Sequence, residues 1–523
     1  MPKTVLSCLL VFVFPMVLLA QNRPRPVPAV ESQAEALKLI QGLYKPEYAS
    51  RKPADRLAFA EKLFMQGMAT NDDFTARFVL FSQARELAVA GGNLRLAWKA
   101  CDELGKDYAT DLVSMKAAVL AGSLKSGVQA NRGLIEKHFR LTEQAITLEK
   151  WELAESLLHA AQGLAKTYGD AHMQKHAQAL IQQVAEIQEN QAAFNRSRMI
   201  LSQKPLDRDA NLQVGRSLCL LRGQWDKGLP LLTNGENATV VSLAKIDAEN
   251  PVDSASQVSL ADKWWTLGET ETGTAKRQLH LRAYRWYASA SPTLNGITLT
   301  RVETRMREVE RAYREQIAPR PIACWTFEKD ARDTIETMHG TLPRGATVTG
   351  DRLHFRTKGL GMMTAPLPLD IKERTLEIWV ALPSLNQQNA YLMEIFDTVS
   401  GAHDGIMYAD KQAMKWVSHS SFRHRTQELD GPVESAKPTQ LIHVAVAYKA
   451  DNSIAVYRNG KLYGQPYVPQ SGGSTIQTYH SNRGQIVLGQ DSIGAIEESR
   501  LYDFALSEPE IGMSYRIGPR SAK

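Results

Sequence analysis

The feature that most constrains this chain is a change of hydrophobic period at Ile317-Ala318-Pro319-Arg320-Pro321. Each proline removes a backbone donor and pushes the residue before it out of the helical region, so no helix continues through this stretch. Before it, apolar residues recur every three or four positions. After it, they recur every second position. A chain that switches between those periods needs a helical part and a sheet part, each burying its own apolar face.

The helical part is expected over residues 31–318. Leu153, Leu157, Leu158, Ala161, Leu164, Ala165 and Tyr168 form one helix stripe, Gly169 suits its C-cap, and Asp170 can cap the next helix. Met173, Ala177, Leu180, Ile181, Val184 and Ile187 continue the pattern, with breaks at Gly91-Gly92-Asn93 and Lys204-Pro205-Leu206-Asp207. Trp264-x-x-Leu267-Gly268, Tyr284 and Pro292 then resemble a tetratricopeptide repeat, although His280, Tyr287 and Glu271 depart from it. Asn211 to Leu232 reads as a shorter helix pair with Gly223 at its turn. The run is similar to a helical segment found ahead of varied C-terminal modules in secreted bacterial proteins, a likeness that implies no activity. Tetratricopeptide-like arrays leave a groove for peptide segments, so this region is expected to be a scaffold or partner-docking arm.

Lys3, the apolar run Val5 to Ala20 and the small residue Ala20 predict a signal peptide over residues 1–20. The run is short of the ~20 residues that cross a bilayer. Pro24, Pro26 and Pro28 make residues 21–30 an extended tether. With no second membrane-length run, the expectation is a secreted, periplasmic or cell-envelope protein without a membrane span once the signal is removed. The net charge of +6, from 62 basic and 56 acidic residues in 523, is too mild to argue for nucleic acid. Oligomeric state is not readable. Apart from Cys8 in the leader, Cys101, Cys219 and Cys324 have no zinc-like spacing and allow at most one internal disulfide.

After the linker 319–321 come short strands. Thr375 to Val380 alternates, Leu441 to Tyr448 is nearly all apolar, and Asn459-Gly460 between Ile454–Arg458 and Lys461–Tyr463 is a hairpin signal. Residues 322–517, ahead of a tail at 518–523, resemble the LamG-like, concanavalin A-like jelly roll. The likeness rests on Cys324-Trp325-Thr326-Phe327-Glu328, Arg352-Leu353-His354-Phe355, Val456-Tyr457-Arg458-Asn459-Gly460-Lys461 and the closing run Gly494 to Ile511. In that run Glu497-Glu498 stands where the family usually has Asp-Glu. Ser507 and Glu510 fit a capping box. The expected fold class is thus multidomain, all-α followed by an all-β sandwich. The resemblance implies a module that binds glycans or protein partners, sometimes with calcium.

Catalytic chemistry is scarce. Glycosidases on this fold need carboxylates two or four apart on one strand, whereas Glu394 and Asp397 are three apart and face opposite ways; Glu377 has no such partner. His172 and His176 lack the glutamate of a metalloprotease and read as solvated. Asp397, Asp404 and Asp410 are the candidate calcium ligands, in a spacing that matches no fixed motif. Candidate ligand-binding residues are His419 and Arg423, in a basic cluster around Phe422, and Trp416, which stacks on a sugar only if it turns out of the core. The expectation is a non-enzymatic binding protein with no cofactor beyond calcium. The alternatives are an assembly protein making protein–protein contacts only and a glycoside hydrolase on the same fold.

Overall fold

The computed structural model describes residues 24–50, 52–335, 338–469 and 475–519. The expected signal peptide lies outside them. The described residues form two compact units, divided between Gln129 and Ala130. Fifteen α-helices lie between Val30 and Ile317 among the described residues, and sheets follow. None of these helices is long and apolar enough to cross a membrane.

The first unit holds six helices from Val30 to Lys125. Asp73, Asn93 and Asp111 cap three of them by accepting the amides of Ala76, Leu96 and Ser114. Proline keeps residues 24–28 extended, and Arg25 exchanges backbone hydrogen bonds with Asp107 and Ala109.

In the second unit the tetratricopeptide-like signal becomes the helix pair Ser254–Glu269 and Gly273–Ala290. Trp264 is buried and donates to Asp247 at 2.7 Å. The break after Lys204 and the turn at Gly223, with φ +69°, are where the composition placed them. The β part has fourteen strands: β1 Ala323–Trp325, β2 Gly340–Thr341, β3 Ala346–Thr349, β4 Arg352–Phe355, β5 Met362–Thr364, β6 Arg374–Ala381, β7 Ala390–Asp397, β8 His403–Tyr408, β9 Trp416–Ser420, β10 Leu441–Tyr448, β11 Ile454–Arg458, β12 Lys461–Leu462, β13 Gly484–Leu488 and β14 Gly494–Tyr502. Eight form one antiparallel sheet, β12-β11-β10-β6-β14-β4-β3 with β1 on β14; six form the other, β2-β5-β13-β7-β8-β9. Asn459 and Gly460 both take positive φ, which closes the β11–β12 hairpin. The inward faces meet in a core that includes Trp325, Ile378, Ile395, Ile406, Trp416 and Val444.

The outward face of the eight-stranded sheet is covered. The helix Glu508–Ile517 lays Ile511 on Ala445, Ala447, Tyr457 and Tyr502, and buries Met513 in the helical layer, where Arg516 also reaches Glu310 at 2.9 Å. Beneath it lies a closed polar network. Glu377 accepts His443 Nε2 and the Tyr502 hydroxyl, each at 2.8 Å, and Arg500 spans Glu498, Ser514 and the Gly518 carbonyl while stacking on Trp379. Cys101, Cys219 and Cys324 are buried free thiols, so the disulfide their number allowed does not form among the described residues. His176 is buried against Phe139 rather than solvated.

Candidate functional site

With one sheet covered by the C-terminal helix, the outward face of the six-stranded sheet carries the other buried carboxyl, Glu394. The alternation of β7 places Met393 and Ile395 in the core, so Glu394 and Phe396 project outward. A bulge between Tyr391 and Met393 brings Tyr391 to the same side. In β8 and β9, Ile406 and Trp416 point inward, which leaves His403, Gly405 and His419 outward. The register aligns Glu394 with Gly405 and Gly405 with His419.

Gly405 makes this row possible. A Cβ there would stand 2.5 Å from the Met393 carbonyl and 2.7 Å from Glu394 Cγ, so only glycine lets the glutamate lie across the strand. The rings form a continuous wall. Tyr391 meets His419 edge-on at 5.1 Å, His419 stacks on His403 at 5.3 Å, and His403 on Phe396 at 6.4 Å. Glu394 is 6% exposed, and no hydrogen bond joins its carboxyl to another described residue. His419 is 8% exposed, and its Nδ1 is unbonded, as is Gln485 Oε1 on neighbouring β13. Burial, with the charge of Asp491 added, pushes the Glu394 carboxyl up to about 8. Burial, and then His403, pull the His419 imidazole down to about 4. At neutral pH both are uncharged. These two groups offer hydrogen bonds without ionic charge beside the ring faces.

The other expected site residues fall elsewhere. Trp416 is 1% exposed and donates from Nε1 to Glu434 at 2.8 Å, so it is a core residue with no face for a sugar. Arg423 is tied to Asp410 and, at 2.9 Å, to Glu428, so it is not a free cation for a ligand. Phe422 beside it, with φ +53°, is 88% exposed at the end of β9.

The three aspartates do not make a calcium site. Asp397 caps the turn after β7 through the amides of Val399 and Ser400 and pairs with Arg483. Asp404 is enclosed by Arg374, Arg425 and Tyr479. Asp410 holds Arg423. Asp397 and Asp410 stand at opposite ends of the β7–β8 hairpin, ~20 Å apart at 3.3 Å per residue. Among the described residues no group of three or more such side chains is placed to hold a metal ion.

Glu394 and Asp397 do face opposite ways, as their spacing requires. Sequence reading named Glu394 and His419 separately but did not bring them together, and it missed Gly405 and His403, since these neighbours come from two other strands. The one available signal was the alternation of outward aromatic and polar residues in Tyr391 to Phe396.

No curated protein matches the chain. Among solved structures, a Trypanosoma rangeli sialidase is 16% identical over 37% of this chain and 32% of its own, with a TM-score of 0.28. The botulinum neurotoxin serotype D ligand binding domain, solved with N-acetylneuraminic acid, is 13% identical over 38% of this chain and 50% of its own, with a TM-score of 0.27. The serotype G binding domain is 13% identical over 38% and 51%, also at 0.27. The matched stretches thus span a third to a half of those proteins. Residues 359–512 match the family model described as the Concanavalin A-like lectin/glucanases superfamily, and the sandwich of this chain is a jelly roll of that superfamily.

Proposed function

We propose that this is an exported, non-enzymatic binding protein whose jelly roll recognises a glycan on the outward face of the six-stranded sheet, with the helical region as scaffold or docking arm. The observation that carries the reading is the idle row Glu394–Gly405–His419. Buried polar groups are normally bonded. Here an imidazole nitrogen and an amide oxygen are buried without a bond, beside the Glu394 carboxyl and aromatic rings. Sugars offer hydroxyls for such groups and apolar ring faces for Tyr391, His403 and Phe396. Because Glu394 keeps its proton at neutral pH, it can donate to a hydroxyl as well as accept from one.

The test is glycan-array binding by the full mature chain. Saturable binding that His419→Ala or Glu394→Gln weakens at least about tenfold supports the reading, since one such contact is worth ~1.4 kcal/mol or more. Binding indifferent to both changes, or no glycan retained at all, removes it.

A second reading draws on the same carboxyl. A glutamate protonated at neutral pH, facing the charge of Asp491, has the ionisation state of a glycosidase general acid. Turnover of a β-glucan by the wild type and its loss in Glu394→Gln would establish that reading in place of the first.

A further inference from the structure

The helical layer of the second unit holds a cavity of 550 Å³ whose walls come wholly from residues 146–231. This is within the size range of small-molecule sites. Its walls are of two kinds. Phe194, Leu201, Leu218 and Leu231 form an apolar side, while Arg198, Arg222 and Lys227 face a single carboxylate, Glu149.

Arg222 is the unusual member. A π-helical turn, Ser217–Leu221, ends just before it, and the guanidinium is packed over the rings of Phe194 at 4.1 Å and Trp151 at 5.3 Å. It is 9% exposed and donates to Gln191 Oε1 at 2.8 Å and Ser217 Oγ at 3.4 Å. Its carboxylate, Glu149, stays 3.5 Å away and lies 3.8 Å from Arg198, with no direct hydrogen bond to either. Arg132, buried in the same unit, meets its carboxylates directly, reaching Asp170 and Glu315 at 2.9 Å each. A buried cation without a bonded anion is unfavourable. Glu149 also sits at φ +56° just past the helix Arg132–Thr147, a position that favours glycine. Lys227, exposed at the mouth, has no ion-pair partner among the described residues.

We propose that this cavity binds an organic anion with an apolar body, its carboxylate or phosphate head seated between Arg198, Arg222 and Lys227 where Glu149 now stands at a distance. The body lies against Phe194 and the three leucines. The anion satisfies Arg222 directly and displaces Glu149, a loosely held internal counterion.

Calorimetric titration of the full mature chain tests this with four probes: octanoate, octyl phosphate, inorganic phosphate and octanol. Saturable binding of octanoate or octyl phosphate, tighter than inorganic phosphate and octanol, is expected, and the tighter of the two identifies the head group. Arg198→Gln with Lys227→Gln alters exposed side chains only and should weaken binding at least about tenfold, because charge-assisted contacts are the stronger kind. Glu149→Gln should tighten it several-fold by removing the competing carboxylate. Octanol binding as tightly as octanoate, affinity unchanged in both variants, or no saturable binding at millimolar concentration overturns the proposal.

Discussion

On the outward face of the eight-stranded sheet, Glu377 is fully buried and bonded by His443 and Tyr502 with Arg500 beside it; on the outward face of the six-stranded sheet, Glu394 is nearly as buried and bonded by nothing among the described residues. Burial alone raises a carboxyl's pKa in both places. For Glu377 the His443 hydrogen bond and the Arg500 charge override burial and bring it down to about 2. For Glu394 burial prevails, and the value rises to about 8. The two faces share one alternation and one sandwich. What separates them is whether the buried carboxyl meets bonded partners. The helix Glu508–Ile517 has consumed the polar groups of the first face as an internal interface, and on the second face His419 Nδ1 and Gln485 Oε1 stay unbonded among the described residues.

The sharpest way to break the comparison is to remove each glutamate. Glu377→Gln takes away the negative charge beside Arg500 and an acceptor of a buried network. Breaking one partner of a buried ionic group costs about 3–5 kcal/mol. Urea unfolding of the full chain at pH 7 should show a loss of that size, and a loss below ~1 kcal/mol would mean that the network is not what holds this face. The pH dependence has a definite sign. The folded value lies below the ordinary one near 4.5, so the Glu377 contribution is complete above about 4.5 and is lost as pH falls toward 2.

Glu394→Gln should act in the opposite sense. The folded carboxyl keeps its proton to about 8, whereas the unfolded one releases it near 4.5. Between those values the folded state binds the extra proton, so the Glu394 contribution to wild-type stability falls as pH rises from 4.5 through 8 and is level outside that window. Glutamine does not titrate. The variant should match wild type near pH 4 and exceed it at pH 9 by about 2–4 kcal/mol, a discounted share of what the shift implies at ~1.4 kcal/mol per unit. Parallel stability curves for the two proteins would show that Glu394 has a partner after all.

Much of the fold was legible because it depends on local period. The proline-marked switch at 319–321, the caps at Asp170 and Ser507, and the Asn459-Gly460 hairpin each need only a few neighbouring residues to be read. The opposed directions of Glu394 and Asp397 follow from strand geometry alone. The site itself was hidden by register. His419 falls in one row with Glu394 only because the β8–β9 pairing sets Gly405 between them, and no local pattern fixes that pairing. Charge also misled. Asp397, Asp404 and Asp410 read as oxygen-rich loop ligands, but each answers an arginine, Arg483, Arg374 or Arg423, and two of those three pairs are far apart in sequence. Trp416 has the composition of a sugar platform and the alternation of a core residue, and the alternation decided.

The smallest expected effect concerns the cover that distinguishes the two faces. Glu510 reaches back to the Ser507 amide at 2.7 Å in the capping box that opens the helix Glu508–Ile517. Ser507→Ala removes the side-chain half of that box, worth about 1 kcal/mol. The loss should be local. The first turn carries Ile511 onto Ala445 and Tyr457, and the next carries Ser514 to Arg500, so fraying it loosens the Glu377 side of the sandwich first. Amide hydrogen exchange should quicken in β10 and β14 by several-fold in Ser507→Ala and stay unchanged in β7 and β8, where Glu394 lies beyond the core. Equal acceleration in all four strands would mean that the two faces unfold as one, and that the helix guards the whole sandwich rather than one side of it.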